Sequence, residues 1–115
     1  MVNKWDIFLC TLDPTIGSEQ RGTRPVLVIS NNAVNHNIPV ATVIPFSSLK
    51  EGAVTYPTEV EIPTSLSGLP IHSVVMVQQI RTVSHVRLEK CLSHLSDKHI
   101  QETILEAIRE YFEYE

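Results

Sequence analysis

An arginine between a polar loop and an apolar run is the residue of this sequence best suited to chemistry. Residues 12–30 read LDPTIGSEQRGTRPVLVIS, and Arg24 stands directly before Pro25. Because a proline favours extended backbone in the preceding residue, Arg24 is expected at the mouth of the following strand. A guanidinium held there stays charged and can donate two parallel hydrogen bonds to phosphate oxygens. The alternative is an ion pair with Asp13 or Glu19 that only ties down the loop.

Two further segments place polar side chains at the ends of apolar runs. In PFSS, the hydroxyl of Ser47 can donate to a phosphate oxygen, although capping of a turn is the alternative role. In VQQIRT, the alternation of a strand predicts Gln79 and Arg81 on one face and Gln78 on the other. Such side chains reach either the mouth of a pocket or bulk water.

The remaining reactive residue types indicate no metal and no cofactor. Glu59 and Glu61 alternate with apolar residues and read as a solvated strand face rather than a two-carboxylate site. The sequence CLSH, with Cys91 and His94, lacks the second half of a four-ligand zinc site. Cys10 and Cys91 are expected to be buried free thiols, and no acidic cluster suits Mg²⁺.

Length and charge set the context for these residues. The chain of 115 residues is expected to form one domain, 1–115, and it carries a net charge of −4. Residues 1–87 are neutral, with six acidic and six basic side chains, and residues 88–115 supply the whole excess of acid. A locally basic face is therefore compatible with the composition. Neither a signal peptide nor a membrane span is apparent, so we expect a cytoplasmic protein with no membrane partner.

The patterning predicts a mainly β fold that ends in a helix. Strands are expected over the ranges 5–12, 25–30, 40–47, 58–62 and 73–83, joined by loops over 13–23, 31–39, 48–57 and 63–70. A helix capped by Ser96 follows. Its apolar face carries Ile100, Ile104, Leu105, Ile108 and Phe112, and its acidic face carries Glu102, Glu106, Glu110 and Glu113. Five or so short strands with one helix after them indicate a small, curled antiparallel barrel.

Three segments, in this order and spacing, resemble the MazF/PemK-type toxins. They are LDPTIGSEQRGTRPVLVISNN, VIPFSS and VQQIRTV with a later RL, and an acidic amphipathic helix follows them. The resemblance covers essentially the whole chain. It implies an SH3-like barrel of the kind shared with CcdB-like plasmid maintenance toxins, and a homodimer whose two subunits form an RNA groove. It also implies sequence-specific, metal-independent cleavage of single-stranded RNA through attack of the 2′-hydroxyl on the adjacent phosphorus.

The resemblance also implies roles for individual residues. Arg24 matches the family's catalytic arginine, and Ser47 keeps the hydroxyl of a threonine that is usual there. Gln78 stands where several members carry an acidic residue, so the proton acceptor is Glu19 or Arg24 itself. Contacts to base edges are expected from Gln20, Asn31, Asn32, Gln78 and Gln79, and contacts to phosphates from Arg21, Arg24 and Arg81.

The same resemblance implies a cognate MazE-like antitoxin, which would thread an extended acidic segment past Arg24 and Arg81. The toxin–antitoxin complex would bind DNA. Two alternatives stay open at this point. A CcdB-like toxin would poison DNA gyrase by protein contact without hydrolysis, and a catalytically inactive relative would bind RNA without cutting it.

Overall fold

The protein is a curled antiparallel sheet with one long helix packed against it. The computed structural model describes residues 1–49 and 56–113. Its strands are β1 Asp6–Thr11, β2 Thr23–Val28, β3 Val40–Ser48, β4 Glu59–Ile62, β5 Ser73–Met76, β6 Arg81–Ser84 and β7 Leu88–His94. Its helices are α1 Asn32–Asn35, α2 Thr64–Ser67 and α3 Lys98–Tyr111, with short 3₁₀ helices at Val77–Gln79 and His85–Arg87. The expected fold class, mainly β with a C-terminal helix, is confirmed.

Strand β3 is the hub of the sheet because it pairs with three others. The strands follow each other in the order β4-β5-β3-β2-β1-β7, and β6 pairs with the first half of β3. The second half of β3 pairs instead with β5. Division of one long strand between partners curls the sheet, although the path is open, with β4 and β7 at its two ends.

Both faces of the central strands are buried, as the continuous apolar run of the first strand predicts. Ile7 and Phe46 belong to the core that α3 covers, and Ile104 is the helix residue at its centre. Phe8 and Val43 belong to a second core on the opposite face. Alternate residues of one strand thus pack into different cores, and the central strands are held from both faces.

Several expected boundaries are wrong, and hydrogen bonding explains each of them. β2 begins at Thr23, because Thr23 pairs with Thr11 and extends the hairpin beyond Pro25. The asparagine-rich segment holds α1, whose first turn is capped by the side chain of Asn31. The segment 63–70 holds α2, which ends at Gly68 in the left-handed conformation (φ 74°) that suits glycine.

The expected long strand over 73–83 is also wrong. It is two strands with the 3₁₀ turn Val77–Gln79 between them, and β5 and β6 pair with different halves of β3. β7 was not expected at all, yet it pairs with β1 and covers its outer edge. Cys91 lies on β7 and is exposed, whereas Cys10 is buried, so the expectation of two buried thiols holds for Cys10 alone.

The long helix differs from its prediction at both ends. Asp97, not Ser96, is the N-cap, because its carboxylate accepts a hydrogen bond from the backbone of Ile100. Phe112 lies beyond the helix and is 60% exposed. No helix in the described ranges is long and apolar enough to span a bilayer. Most of the expected loop 48–57 lies outside the described residues, and the assignment of residues 1–115 to one domain stays a prediction.

Candidate active site

Arg24 is held by two backbone carbonyl groups and by no carboxylate. Its Nε donates to the carbonyl oxygen of Arg21 and its Nη1 to that of Phe46, each at 3.1 Å. A guanidinium has five N–H donors, so three remain for a ligand. Within residues 1–49 and 56–113, no acidic side chain lies within ion-pairing distance of it. The alternative of an ion pair with Asp13 or Glu19 is therefore wrong.

Ser47 borders the same cleft as Arg24. This cleft has a volume of about 260 Å³, and its walls include Pro25, Ser48 and Ile71. The residue Ser47 is half-buried and lies opposite Val74 of β5. Its hydroxyl makes no hydrogen bond with another described residue. The cleft is thus bordered by a fixed cation and by a hydroxyl that can donate, and their roles in catalysis stay a prediction.

A second cleft of about 350 Å³ lies beside the first. Glu19 and Gln20 border it from the loop between β1 and β2, and Pro45 borders it from β3. Pro45 is two residues before Ser47, so strand alternation puts both on the same side of β3. The two clefts are therefore neighbours along one strand, and together they bring most of the predicted site residues to one face.

The pair of glutamines joins this face through the 3₁₀ turn. Gln78, Gln79 and Arg81 all border the second cleft, although Gln79 and Arg81 bond to the loop between β1 and β2 and Gln78 bonds to Thr58 and Glu59. The residues Val77–Gln79 form a turn and not the strand that was expected. Gln78 and Gln79 of this turn form one side of the second cleft.

The amide of Gln78 is engaged with the protein. Thr58 donates its hydroxyl to Gln78 Oε1 at 2.9 Å, and Gln78 Nε2 donates to Glu59 at 3.3 Å. The expected solvated strand face therefore needs a partial correction, since Glu59 is half-buried and hydrogen-bonded whereas Glu61 is exposed. Gln78 can still present an edge of its amide to the cleft, but it cannot accept a proton.

Two arginines hold the start of the loop between β1 and β2. Arg81 donates to the carbonyl oxygen of Leu12 at 3.1 Å, and Arg87 donates to those of Thr11 and Asp13. Sequence reasoning gave Arg87 no role, because its contact depends on β7 and its unexpected pairing with β1. These two charges also oppose the effect of burial, which raises the pKa of the Cys10 thiol beneath them.

Glu19 combines a structural contact with a free oxygen. Its Oε1 accepts a hydrogen bond from the backbone N–H of Ile16 at 2.6 Å, and its own N–H donates to the Ile16 carbonyl at 3.3 Å. The residue is exposed, and Oε2 has no hydrogen bond within the described part of the chain. One carboxylate oxygen thus closes the turn while the other is open to a ligand.

Three of the predicted site residues, Arg21, Asn31 and Asn32, do not line the clefts, and the two asparagines lie at α1. Asn31 and Asn32 are engaged there in the structure of the helix. Asn31 caps α1 by accepting from the N–H of Val34 at 3.0 Å, beyond the end of β2 opposite to Arg24. Asn32 is held there as well, because its side chain accepts from the backbone of Lys4. Contacts between these asparagines and RNA stay a prediction. Among the described residues that line the clefts, Gln20, Arg24 and Ser47 keep polar groups that are not bonded within the protein.

The electrostatics of this face differ from those of the whole chain. Arg24 and Arg81 border the two clefts and Glu19 is the acidic residue among their described lining, so this lining has a small positive excess although the net charge of the chain is −4. Much of the acid lies on α3, where Glu102 and Glu106 pair with Arg109. No group of three potential metal ligands converges among the residues described.

The fold and the site define a class: a small antiparallel β protein whose cationic cleft suits an anionic phosphodiester. The profile of the family described as "PemK-like, MazF-like toxin of type II toxin-antitoxin system" matches residues 3–112. Endoribonuclease EndoA of Bacillus subtilis (strain 168) is 39% identical over 98 residues, 85% of this chain and 84% of that protein. Endoribonuclease MazF of Staphylococcus saprophyticus is 38% identical over 102 residues, 89% of this chain and 84% of that protein. The chain therefore belongs to the PemK-like, MazF-like toxins of type II toxin–antitoxin systems.

Solved structures agree with this membership. MazF from Deinococcus radiodurans superposes with a TM-score of 0.81 at 23% identity, over 97% of this chain and 96% of that chain. An endoribonuclease in complex with its cognate antitoxin, from a mycobacterial species, gives a TM-score of 0.80 at 20% identity, over 100% and 98% of the two chains. At these identities the likeness shows the fold alone, and it confirms the expected barrel-like MazF architecture.

Proposed function

We propose that this toxin is a sequence-specific endoribonuclease that cuts single-stranded RNA without a metal ion. The observation that carries the proposal is the Arg24 guanidinium, which keeps three donors and has no acidic partner among residues 1–49 and 56–113, and which borders the same cleft as Ser47. Its membership of the toxin family and the endoribonuclease names of two relatives support it. RNA supplies its own nucleophile, so the protein needs to orient the 2′-hydroxyl, move protons and stabilise charge on phosphorus.

The proposed reaction uses three side chains. The 2′-oxygen forms a bond to phosphorus while the bond from phosphorus to the 5′-oxygen breaks. Glu19 accepts the proton of the 2′-hydroxyl through its free carboxylate oxygen, and the departing 5′-oxygen takes up a proton from solvent water. Arg24 and Ser47 donate hydrogen bonds to the phosphoryl oxygens, on which negative charge builds. The products are a 2′,3′-cyclic phosphate and a 5′-hydroxyl.

Magnitudes indicate that so few groups suffice. One well-placed donor to a developing oxyanion contributes roughly 10²–10³ in rate. General acid–base catalysis adds about 10²–10⁴. Their product, about 10⁴–10⁷, reaches at its upper end the lower range of enzymatic accelerations, roughly 10⁶ and above, before any gain from orientation of the 2′-hydroxyl.

The proposed substrate contacts favour unpaired bases. Proteins read single-stranded RNA by stacking and by hydrogen bonds to base edges, and stacking contributes about 1–3 kcal/mol per base without net positive charge. Gln20 offers its amide group to base edges, whereas both polar atoms of the Gln78 amide are bonded within the protein, and Arg21 and Arg24 offer donors to phosphates. The proposed assembly is a cytoplasmic homodimer, in which a MazE-like antitoxin places an acidic segment against Arg24.

Incubation of the purified protein with a long RNA in the presence of EDTA tests the proposal. We expect discrete fragments with 5′-hydroxyl ends, which sequencing of those ends would map to one short motif. Arg24→Ala should abolish the fragments, whereas Arg109→Ala, which removes a solvent-exposed arginine on α3, should leave them unchanged. RNA that stays intact while gyrase supercoiling is inhibited would favour the gyrase toxin. RNA that is bound and never cut would favour an inactive relative.

A further inference from the structure

The loop that carries Glu19 has little to hold it in place on its own. It spans residues 12–22 between β1 and β2, longer than the two to five residues usual in a hairpin. Ile16, its large apolar residue, is 84% exposed, so no apolar contact anchors the tip. The loop is closed at its base by the Leu12 N–H, which donates to the carbonyl oxygen of Gly22 at 3.0 Å. A defined position for the tip therefore requires a contact from another part of the fold.

Gln79 makes that contact with both polar atoms of its side chain. The backbone N–H of Gln20 donates to Gln79 Oε1 at 3.1 Å, and Gln79 Nε2 donates to the carbonyl oxygen of Ser18 at 3.1 Å. These two backbone groups lie on either side of Glu19. Within the described ranges, no other side chain outside the loop forms a hydrogen bond to residues 14–20. The side-chain amide thus holds Glu19 from both sides.

The element that carries Gln79 is itself fixed. The N–H of Val77 donates to the Thr58 carbonyl and the N–H of Ile80 to the Val77 carbonyl, each at 3.0 Å, and Val77 is fully buried. The neighbouring Gln78 bonds to Thr58, in the opposite direction from the loop. The 3₁₀ turn therefore joins the loop to the core through one glutamine and to the start of β4 through the other.

We propose that Gln79 is a positioning residue, which sets the place of Glu19 over the site and acts on the reaction through it. This inference rests on the proposed ribonuclease function and revises the predicted role of Gln79 as an RNA contact. Both hydrogen-bonding atoms of its amide are engaged with the loop, whereas the side chains of Gln20 and Arg21 make no hydrogen bond with another described residue. A displacement of about 1 Å in a catalytic group can cost roughly 10²-fold in rate, so loss of the two hydrogen bonds beside Glu19 should slow cleavage measurably.

The test compares Gln79→Ala with the matched control Gln78→Ala. In RNA-free protein, we expect faster hydrogen exchange of the Gln20 amide in Gln79→Ala only, measured by NMR. Single-turnover cleavage by Gln79→Ala should fall by about 10- to 10²-fold. In a Glu19→Ala background the same substitution should add no further loss, because residues that act as a unit are not additive.

Gln79→Glu adds a pH readout. A protonated glutamic acid both accepts and donates like the amide, whereas the carboxylate can only accept and repels the Ser18 carbonyl. The cleavage rate of Gln79→Glu relative to wild type should therefore rise as the pH falls towards about 4.3, the ordinary carboxyl pKa. The exchange of the Gln20 amide should slow over the same pH range.

Two results would overturn the inference while leaving the proposed function in place. One is an unchanged Gln20 amide in Gln79→Ala together with weaker RNA binding, which would make Gln79 a direct RNA contact. The other is a full loss of rate from Gln79→Ala in the Glu19→Ala background. If the wild-type protein cuts no RNA at all, the proposed function is wrong and the role of Gln79 in it is overturned as well.

Discussion

Arg24 Nη1 donates to the carbonyl oxygen of Phe46 at 3.1 Å, and this contact ties the cation of the site to the core. The ring of Phe46 is 2% exposed and belongs to the core that α3 covers. Its burial contributes about 1.5–3 kcal/mol and fixes the peptide to which the guanidinium is bonded. Ser47, which borders the same cleft, is the next residue of β3. One well-packed strand, β3, therefore carries both Ser47 and the carbonyl group that holds the Arg24 guanidinium.

Substitution of Ser47 tests whether its hydroxyl is used. Ser47→Ala should lower single-turnover cleavage by roughly 10²-fold, because one donor to the phosphoryl oxygens is lost. Ser47→Thr keeps the hydroxyl and adds a methyl group at a half-buried position, so its rate should stay close to that of wild type. Equal rates for Ser47→Ala and wild type would show that the hydroxyl takes no part.

Glu19 can be tested as a proton acceptor separately from its role in the loop. Glu19→Gln keeps an oxygen that accepts from the Ile16 N–H but cannot take up a proton. We expect cleavage to fall by about 10²–10⁴-fold in Glu19→Gln, with unchanged hydrogen exchange at the Ile16 amide. Glu19→Ala should be equally slow and should exchange faster there. If Glu19→Gln is fully active while Glu19→Ala is slow, the Glu19 side chain serves only to close the turn and does not accept a proton.

Sequence patterns captured the parts of the fold that depend on local alternation. Thr58, Val60 and Ile62 alternate with Glu59 and Glu61, and the structure buries Val60 and Ile62 as expected. The segment 88–94 was missed, because most of its residues are exposed on an edge strand and show no apolar alternation. Its place is set by non-local pairing with β1, which composition does not reveal.

In the site too, some positions depend on neighbouring residues in the sequence and others on contacts between distant residues. Arg24 could be placed from the proline behind it, and its companion Ser47 from the end of an apolar run. The contacts of Gln79 with the loop could not, because they join residues about sixty positions apart through an unexpected 3₁₀ turn. That turn follows from the pairing of β5 and β6 with different halves of β3, a feature of topology rather than of local spacing.

The salt dependence of RNA binding follows from the small number of arginines that are expected to contact phosphates. Each phosphate contact on a single strand contributes a slope of about −0.7 to a plot of log K against log salt. Arg21 and Arg24, with or without Arg81, therefore predict a slope of about −1 to −2 per site. Anisotropy with a labelled RNA whose scissile 2′-hydroxyl is replaced by hydrogen would measure it without cleavage. Arg21→Ala should make the slope shallower by about 0.7, and a slope steeper than about −4 would contradict the assignment.

The cap of α3 gives a prediction on stability alone. Asp97 accepts from the Ile100 N–H at 2.9 Å, and Ile104 of the same helix is fully buried. Asp97→Ala should lower the free energy of unfolding by about 1 kcal/mol, seen as a fall of roughly 4–8 °C in Tm. Asp97→Asn should restore most of it, since asparagine caps equally well. Ser96→Ala is the matched control and should change little; an equal loss there would return the cap to Ser96.

The two thiols should differ sharply in their reaction with iodoacetamide. Burial raises the pKa of Cys10, whose side chain is fully buried, and burial together with the Asp6 carboxylate raises that of the exposed Cys91. Since the thiolate is the reactive form, mass spectrometry of native protein should show alkylation of Cys91 alone, more slowly than of an unfolded control.

The unfolded chain releases its thiol protons near the ordinary pKa of 9.0, below the folded pKa of Cys10. The stability linked to this thiol is therefore complete below that pH and is lost as the pH rises through the folded pKa, an effect that Cys10→Ser should remove.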